Sequence, residues 1–158
     1  MRLAAAAGIA EDRLVFLPQG RDDAENQARY AIVDCVLDPM PYGGVNGVQE
    51  PLAALVPVVT LVGRGHAERS AYSILANLGV TSTVAAGGRE YVEIAVRLAG
   101  DPDFAREVKS AIRAGLAHST LTDRVGHTRA LERAYLAALA AKAPEALIAA
   151  GVDVPATG

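Results

Sequence analysis

A chain of 158 residues with 51 % apolar but only 4 % aromatic side chains fits one domain with a core of Ala, Val, Leu and Ile, able to bury roughly two-thirds of its unfolded surface. A formal net charge of −3 argues against bulk attraction to nucleic acid or to an anionic membrane, while leaving open a local anion site made of backbone amides. No run approaches the ~20 apolar residues of a membrane span, and Glu11, Asp12 and Arg13 interrupt the apolar start too early for a secretory leader.

In chain order, residues 2–7 read as a helix stopped by Gly8, and RLVFL at 13–17 as a buried strand ended by Pro18 and the turn at Gln19 and Gly20. Asp22 or Asp23 caps a second helix running to about Ala31. A second strand follows at 32–37, carrying the single Cys35, which has no internal disulfide partner and no basic neighbour in sequence. It reads as a buried, inert thiol in a reducing, cytoplasmic setting. The central helix is expected at 47–55, its regular part displaced toward Glu50 by Pro51, and the third strand at 57–61. After the loop at 63–66 come a helix at 67–78 with Gly79 as its left-handed cap, and a short strand at 81–85.

Strands separated by helix-length segments imply right-handed crossovers and a parallel, Rossmann-like α/β sheet. From Gly88 onward the pattern is helical. Tyr91, Ile94 and Leu98 share one face, Asp101-Pro102 opens the next helix, and Thr122 or Asp123 caps a third whose buried stripe is Val125, Leu131, Tyr135 and Leu139. The tail from Lys142 is rich in Ala, and Pro155 to Gly158 is expected to fray. The organisation is a half-lobe over 1–87, a helical segment over 88–142 packed on it, and a tail over 143–158.

The stretch DPMPYGGVNGVQE joins the second strand to the central helix. Asp38 ends the strand, Pro39 and Pro41 stiffen the exit, and Gly43 and Gly44 allow torsions closed to other residues. Asn46 suits a left-handed or capping position, after which Gly47 and Val48 present N–H groups at a helix N-terminus, where anions are favoured. Glu50, one turn on, suits the two hydroxyls of a ribose. A plain glycine-rich loop with a solvated Glu complementing the helix dipole is the alternative reading of this local pattern.

A wider set of motifs bears on the choice. RLVFLP, N-x-x-RY-x-x-x-D-x-x-LD, PYGG-x-NG-x-x-E and VPVVTL-x-G follow one another in the first half. His66-Ala-Glu-Arg69, Leu78-Gly79-Val80, Glu90-Tyr91, Leu98-Ala99-x-Asp101-Pro102, Ser119-x-Leu121-x-Asp123 and Leu131-Glu132-x-Ala134-Tyr135 continue the series. In order and spacing, from about Ala5 to Leu139, this resembles the C-terminal half of the catalytic region of the O-linked N-acetylglucosamine transferase family, with its SPINDLY-like and bacterial members and the related adhesin-modifying N-glucosyltransferases.

The resemblance implies the partial C-terminal lobe of a GT-B glycosyltransferase. It would bind a donor such as UDP-GlcNAc or UDP-glucose without a metal or other cofactor, and serve a protein or peptide acceptor. The implied donor contacts are Gln19 and Gly20 at the uracil edge, Asn26 where the family usually has a base-stacking His, Arg29, and the turn residues Gly44, Val45, Asn46 and Gly47. Glu50 stands where the family usually has Asp. The Asn-Gly pair is closer to the N-glucosyltransferase branch than to the paired threonines of O-linked members. The family's diphosphate-neutralising Lys, its acceptor lobe and its proposed catalytic His correspond to sequence upstream of Met1. The chain is therefore expected to partner a missing N-terminal lobe or larger polypeptide and to have little transferase activity alone, with no catalytic residue assigned within it. The alternative is a non-catalytic α/β interaction module that kept the fold.

Other constellations carry less. His66 follows Gly65 in a loop beside the turn, where a place lining the crevice competes with a plain surface loop, and Arg69 reads as positional. His118, Ser119 and Asp123 lack the strand–turn–helix context of a nucleophile elbow. Three scattered His and one Cys give no metal spacing. Gly63-x-Gly65 lacks the third glycine and the acidic residue of a dinucleotide fingerprint.

Overall fold

The computed structural model describes residues 2–151, and the chain divides between Ile32 and Val33 into two compact units. The first contains helix α1 (Arg2–Ala6), ended by Gly8 at φ 72°, a single 3-10 turn at Glu11–Arg13, helix α2 (Asp23–Ala28) and a 3-10 turn at Arg29–Ile32. Asp22 is the residue that caps α2, accepting from the Glu25 amide at 2.8 Å. The strand expected at 13–17 does not form. Residues 14–17 lie outside any regular element, with Val15 78 % and Phe16 74 % exposed. A strand needs a ladder partner, and among the described residues the first unit has no other strand to supply one.

In the second unit, β1 (Val36–Leu37), α3 (Asn46–Ala53), β2 (Val58–Leu61), α4 (Ser70–Asn77) and β3 (Val84–Ala85) alternate. The strands form a parallel sheet in the order β1-β2-β3, with Val36 opposite Val58 and Thr60 opposite Val84. Right-handed crossovers between strands taken in sequence order place α3 and α4 on one face. Val58, Val59 and Thr60 are all fully buried although successive side chains point to opposite faces, so the other face is covered too. Helix α5 (Gly88–Gly100), which packs along β2 and β3, covers it.

The outer strands are shorter than expected. Residues 32–35 precede the part of β1 that lies alongside β2, and Ile32 closes a 3-10 turn instead. Likewise only Val84 and Ala85 of 81–85 pair. Helix α3 begins at Asn46 rather than nearer Glu50, so Pro51 stands inside it, and the helix ends at Ala53. Its closure uses Leu55 at φ 61°, with Leu55 N–H donating to Leu52 at 2.9 Å and Val56 N–H to Pro51 at 2.8 Å. Helix α4, preceded by a 3-10 turn at Ala67–Arg69, closes in the same way around Gly79 at φ 72°, where the sequence places a left-handed cap.

Helices α6 (Pro102–His118), α7 (Arg124–Lys142) and α8 (Pro144–Ala149) complete the unit. Asp101 caps α6 by accepting from the amides of Phe104 and Asp103 at 3.0 and 3.1 Å, with Pro102 in the first helical position. Asp123 caps α7, accepting from Gly126 at 2.8 Å. Phe104, Val108 and Ile112 of α6 and Leu98 of α5 join Leu52, Val58, Val59, Leu75 and Val80 in one core. Gly115 lets α6 close on the carbonyl of Leu78, with no room there for a Cβ.

Helix α7 departs from expectation. None of its residues is buried, and Val125 and Tyr135 are each 61 % exposed, as Leu131 and Leu139 also are to a lesser degree. An apolar stripe records what a helix is suited to cover; within the second unit the main neighbour of α7 is the short α8, which buries its own Leu147. The expected fraying at Pro155 to Gly158 falls outside the described residues.

Candidate functional site: the glycine turn and its cleft

β1 delivers Asp38 to the carboxyl edge of the sheet, where it is 3 % exposed. Its Oδ1 accepts from the Gly44 amide at 2.7 Å and its Oδ2 from the Thr60 hydroxyl at 2.8 Å. Its carbonyl accepts from the Tyr91 hydroxyl of α5 at 3.0 Å. Burial, then the charges of Asp38 and Cys35, push the Tyr91 phenol above its ordinary range, which keeps that donor protonated. Gly43 donates to the Ala67 carbonyl at 3.3 Å, and a Cβ on it would stand 3.1 Å from both that oxygen and Asp38 Oδ2. The turn is thus held from β1, β2, α5 and the loop before α4.

With Gly44 engaged by Asp38, the amides left without an acceptor among the described residues are those of Val45, Asn46 and Gly47. Val48, expected to present a free N–H, donates to the Val45 carbonyl at 3.1 Å. Asn46 is the first residue of α3 and its side chain makes no cap. A cleft of about 540 Å³ opens beside the turn, its lining including Tyr42, Gly44, Val45, Asn46, His66 and Ser70. A second, of about 530 Å³, shares Val45, His66 and Ser70 and runs on past Gln49 and Arg69 along α4.

Glu68 shapes the loop that forms the far wall. Its Oε2 accepts from the amides of Arg64 and Gly65 at 2.7 and 2.8 Å, and these two bonds, Gly65's the stronger influence, hold its carboxyl below the ordinary range. Gly63 is required because a Cβ there would collide with the Glu68 side chain. Arg69 donates to the Gly63 carbonyl at 3.1 Å and lies 4.9 Å from the Tyr72 ring centroid, a positional role.

Of the residues singled out from sequence, Gly44, Val45 and Asn46 share the first cleft; Gly47 and the half-buried Glu50 stand on α3 and line neither cleft. In the first unit, Gly20 donates to Asn26 Oδ1 at 2.9 Å, so the Asn26 carboxamide closes the loop that begins near Gln19. The Arg29 guanidinium lies 5.2 Å from the centroid of the Tyr30 ring. Burial and the neighbouring Asp34 push the Cys35 thiol up, in keeping with an inert role. Among the described residues no three His, Cys, Asp or Glu side chains gather as a metal site, and no helix is long and apolar enough to cross a membrane. Sequence reasoning missed Asp38 and Glu68 as organisers. Their signal was an acidic residue a few positions from clustered glycines, a pattern that suits carboxylate acceptance of loop amides.

A parallel sheet whose strand runs through a glycine turn into a helix N-terminus defines an α/β lobe of the type that handles anionic ligands. The profile of Glycosyl transferase family 41 matches residues 1–131, and the chain belongs to that family. It is 34 % identical over 131 residues to the "probable UDP-N-acetylglucosamine–peptide N-acetylglucosaminyltransferase SPINDLY" of Oryza sativa subsp. japonica, a match covering 83 % of this chain and 14 % of that protein. The UDP-N-acetylglucosamine–peptide N-acetylglucosaminyltransferase of Caenorhabditis elegans is 34 % identical over 117 residues, 73 % of this chain and 10 % of that one. A solved structure of a mutant O-GlcNAc transferase from Thermobaculum terrenum superposes with a TM-score of 0.77 at 34 % identity, over 85 % of this chain and 26 % of the other. The fold is accordingly a partial GT-B-like α/β lobe, and the chain spans about one-seventh of the rice relative (14 %).

Proposed function

We propose that the chain is the UDP-sugar-binding C-terminal portion of the catalytic region of a protein glycosyltransferase, with UDP-GlcNAc or UDP-glucose as donor and a protein or peptide as acceptor. The observation that carries this reading is the set of three amides, Val45, Asn46 and Gly47, unpaired among the described residues at the start of α3 in a turn fixed by buried Asp38. Pre-aimed amides stabilise a diphosphate both bound and as leaving group, at no cost in reorganisation. In this reading Glu50 takes the ribose hydroxyls, and Gln19, Gly20, Asn26 and Arg29 serve the base. In this reading the donor half-lobe is assigned to 1–87, the helical segment to 88–142 and the tail to 143–158.

On this reading the groups that complete transfer lie in sequence the relatives have beyond the matched stretch, so the 158-residue chain alone is expected to bind UDP weakly and to turn over little or no sugar. Titration with UDP, followed by thermal unfolding, tests this. Ligand at about 100 times its Kd adds about 2.7 kcal/mol, roughly 5–10 °C in melting point for a chain of this size. An unchanged melting point across millimolar UDP would favour a non-catalytic interaction module, and robust turnover by the isolated chain would refute the expectation of inactivity.

A further inference from the structure

We infer that His66 is the side chain that meets the diphosphate, donating a hydrogen bond to a phosphate oxygen and supplying the positive charge that the backbone amides lack. This rests on the donor-binding reading above. In the cleft beside the glycine turn, His66 is, among the described residues, the only lining residue able to carry a positive charge; its companions are backbone, hydroxyl, carboxamide and apolar groups. The adjoining cleft adds one cation, Arg69, which is already engaged by the Gly63 carbonyl and the Tyr72 ring. The imidazole of His66 makes no hydrogen bond or ion pair among the described residues, although its backbone is firmly held.

That holding is specific. Glu68 gathers the amides of Arg64 and Gly65 just before His66, the His66 carbonyl accepts from Arg69 at 3.1 Å, and the next carbonyl, of Ala67, accepts from Gly43. The loop is therefore fastened to the turn one residue away from an uncommitted, exposed imidazole. A helix N-terminus offers about half a unit of positive charge, whereas a nucleoside diphosphate brings at least two negative charges. A charge-assisted donor facing the same cleft is the complement the geometry provides.

The test is an amide-resolved NMR titration of the full 158-residue chain with UDP, on the wild type and on His66→Ala and His66→Lys. UDP is expected to shift the amides of Val45, Asn46 and Gly47 in the wild type. His66→Ala should weaken UDP about tenfold while leaving the unliganded spectrum of the 63–69 loop in place, and His66→Lys should restore most of the affinity. An alanine variant that binds UDP within about twofold of wild type overturns the role of His66 and leaves the donor site standing. Equal loss in both variants also overturns it, since the side chain would then act through shape rather than charge. Absence of any response to UDP at Val45, Asn46 and Gly47 in the wild type overturns both readings.

Discussion

Removing the Asp38 carboxylate leaves the half-buried Gly44 amide and the fully buried Thr60 hydroxyl without their acceptors. Two stranded donors cost about 2–4 kcal/mol, so Asp38→Ala is expected to lower unfolding stability by that amount in urea. Asp38→Asn keeps an acceptor for Gly44 and should cost about 1 kcal/mol, with UDP binding weakened in both variants as the turn loosens. The pH dependence follows from other side chains. Glu68 is held low by two amide bonds and Asp101 chiefly by the Phe104 amide. A depressed carboxyl contributes stability that is present above its unfolded value, about 4, and lost as pH falls through its lower folded value. Melting measured from pH 6 to pH 2.5 should therefore show a smaller acid loss in Asp101→Asn than in wild type. Cys35 lies on the opposite side of the ledger: with its thiol pushed up and half-buried, it should react with an aromatic disulfide at pH 7 several-fold more slowly than free cysteine.

At the scale of elements, two chain reversals use one hydrogen-bonding scheme with different residues. α4 closes through Gly79 and α3 through Leu55, both at positive φ. No atom lies within 4 Å of a Cβ built on Gly79, so Gly79→Ala isolates the backbone cost and should destabilise by about 1 kcal/mol in equilibrium unfolding. Gly79, Asp101-Pro102 and Asp123 were legible in the sequence because caps act within a few residues of chain. β2 was legible as well, since a run buried on both faces is continuously apolar. The strand at 13–17 and the outer residues of β1 and β3 were misread because apolar β-formers show only suitability for a sheet, whereas pairing depends on a neighbour that a local window does not contain. The glycine turn was read as a whole, but which of its amides stay free was not. That depended on the Asp38 side chain folding back across six residues and on Ala67 arriving from a distant loop.

For the whole molecule, the family match and the TM-score of 0.77 fix the kind of lobe, and the match spans 26 % of the solved relative. Helix α7 belongs to the same scale. Because Tyr135 is 61 % exposed, Tyr135→Ser should change the stability of this chain by no more than about 0.5 kcal/mol, whereas truncating buried Leu147 to Ala should cost about 2 kcal/mol or more. A large loss at Tyr135 in a longer protein, measured against none here, would show that the stripe is covered there.

The exposed Val15-Phe-Leu17 segment bears on how the protein behaves in a tube. Three exposed apolar residues, two of them β-formers, with unladdered backbone make a short adhesive strip, and Arg13 and Pro18 on either side act as gatekeepers against stacking with other molecules. Self-association of concentrated samples should begin at this strip, and Phe16→Lys should raise the concentration at which light scattering first climbs.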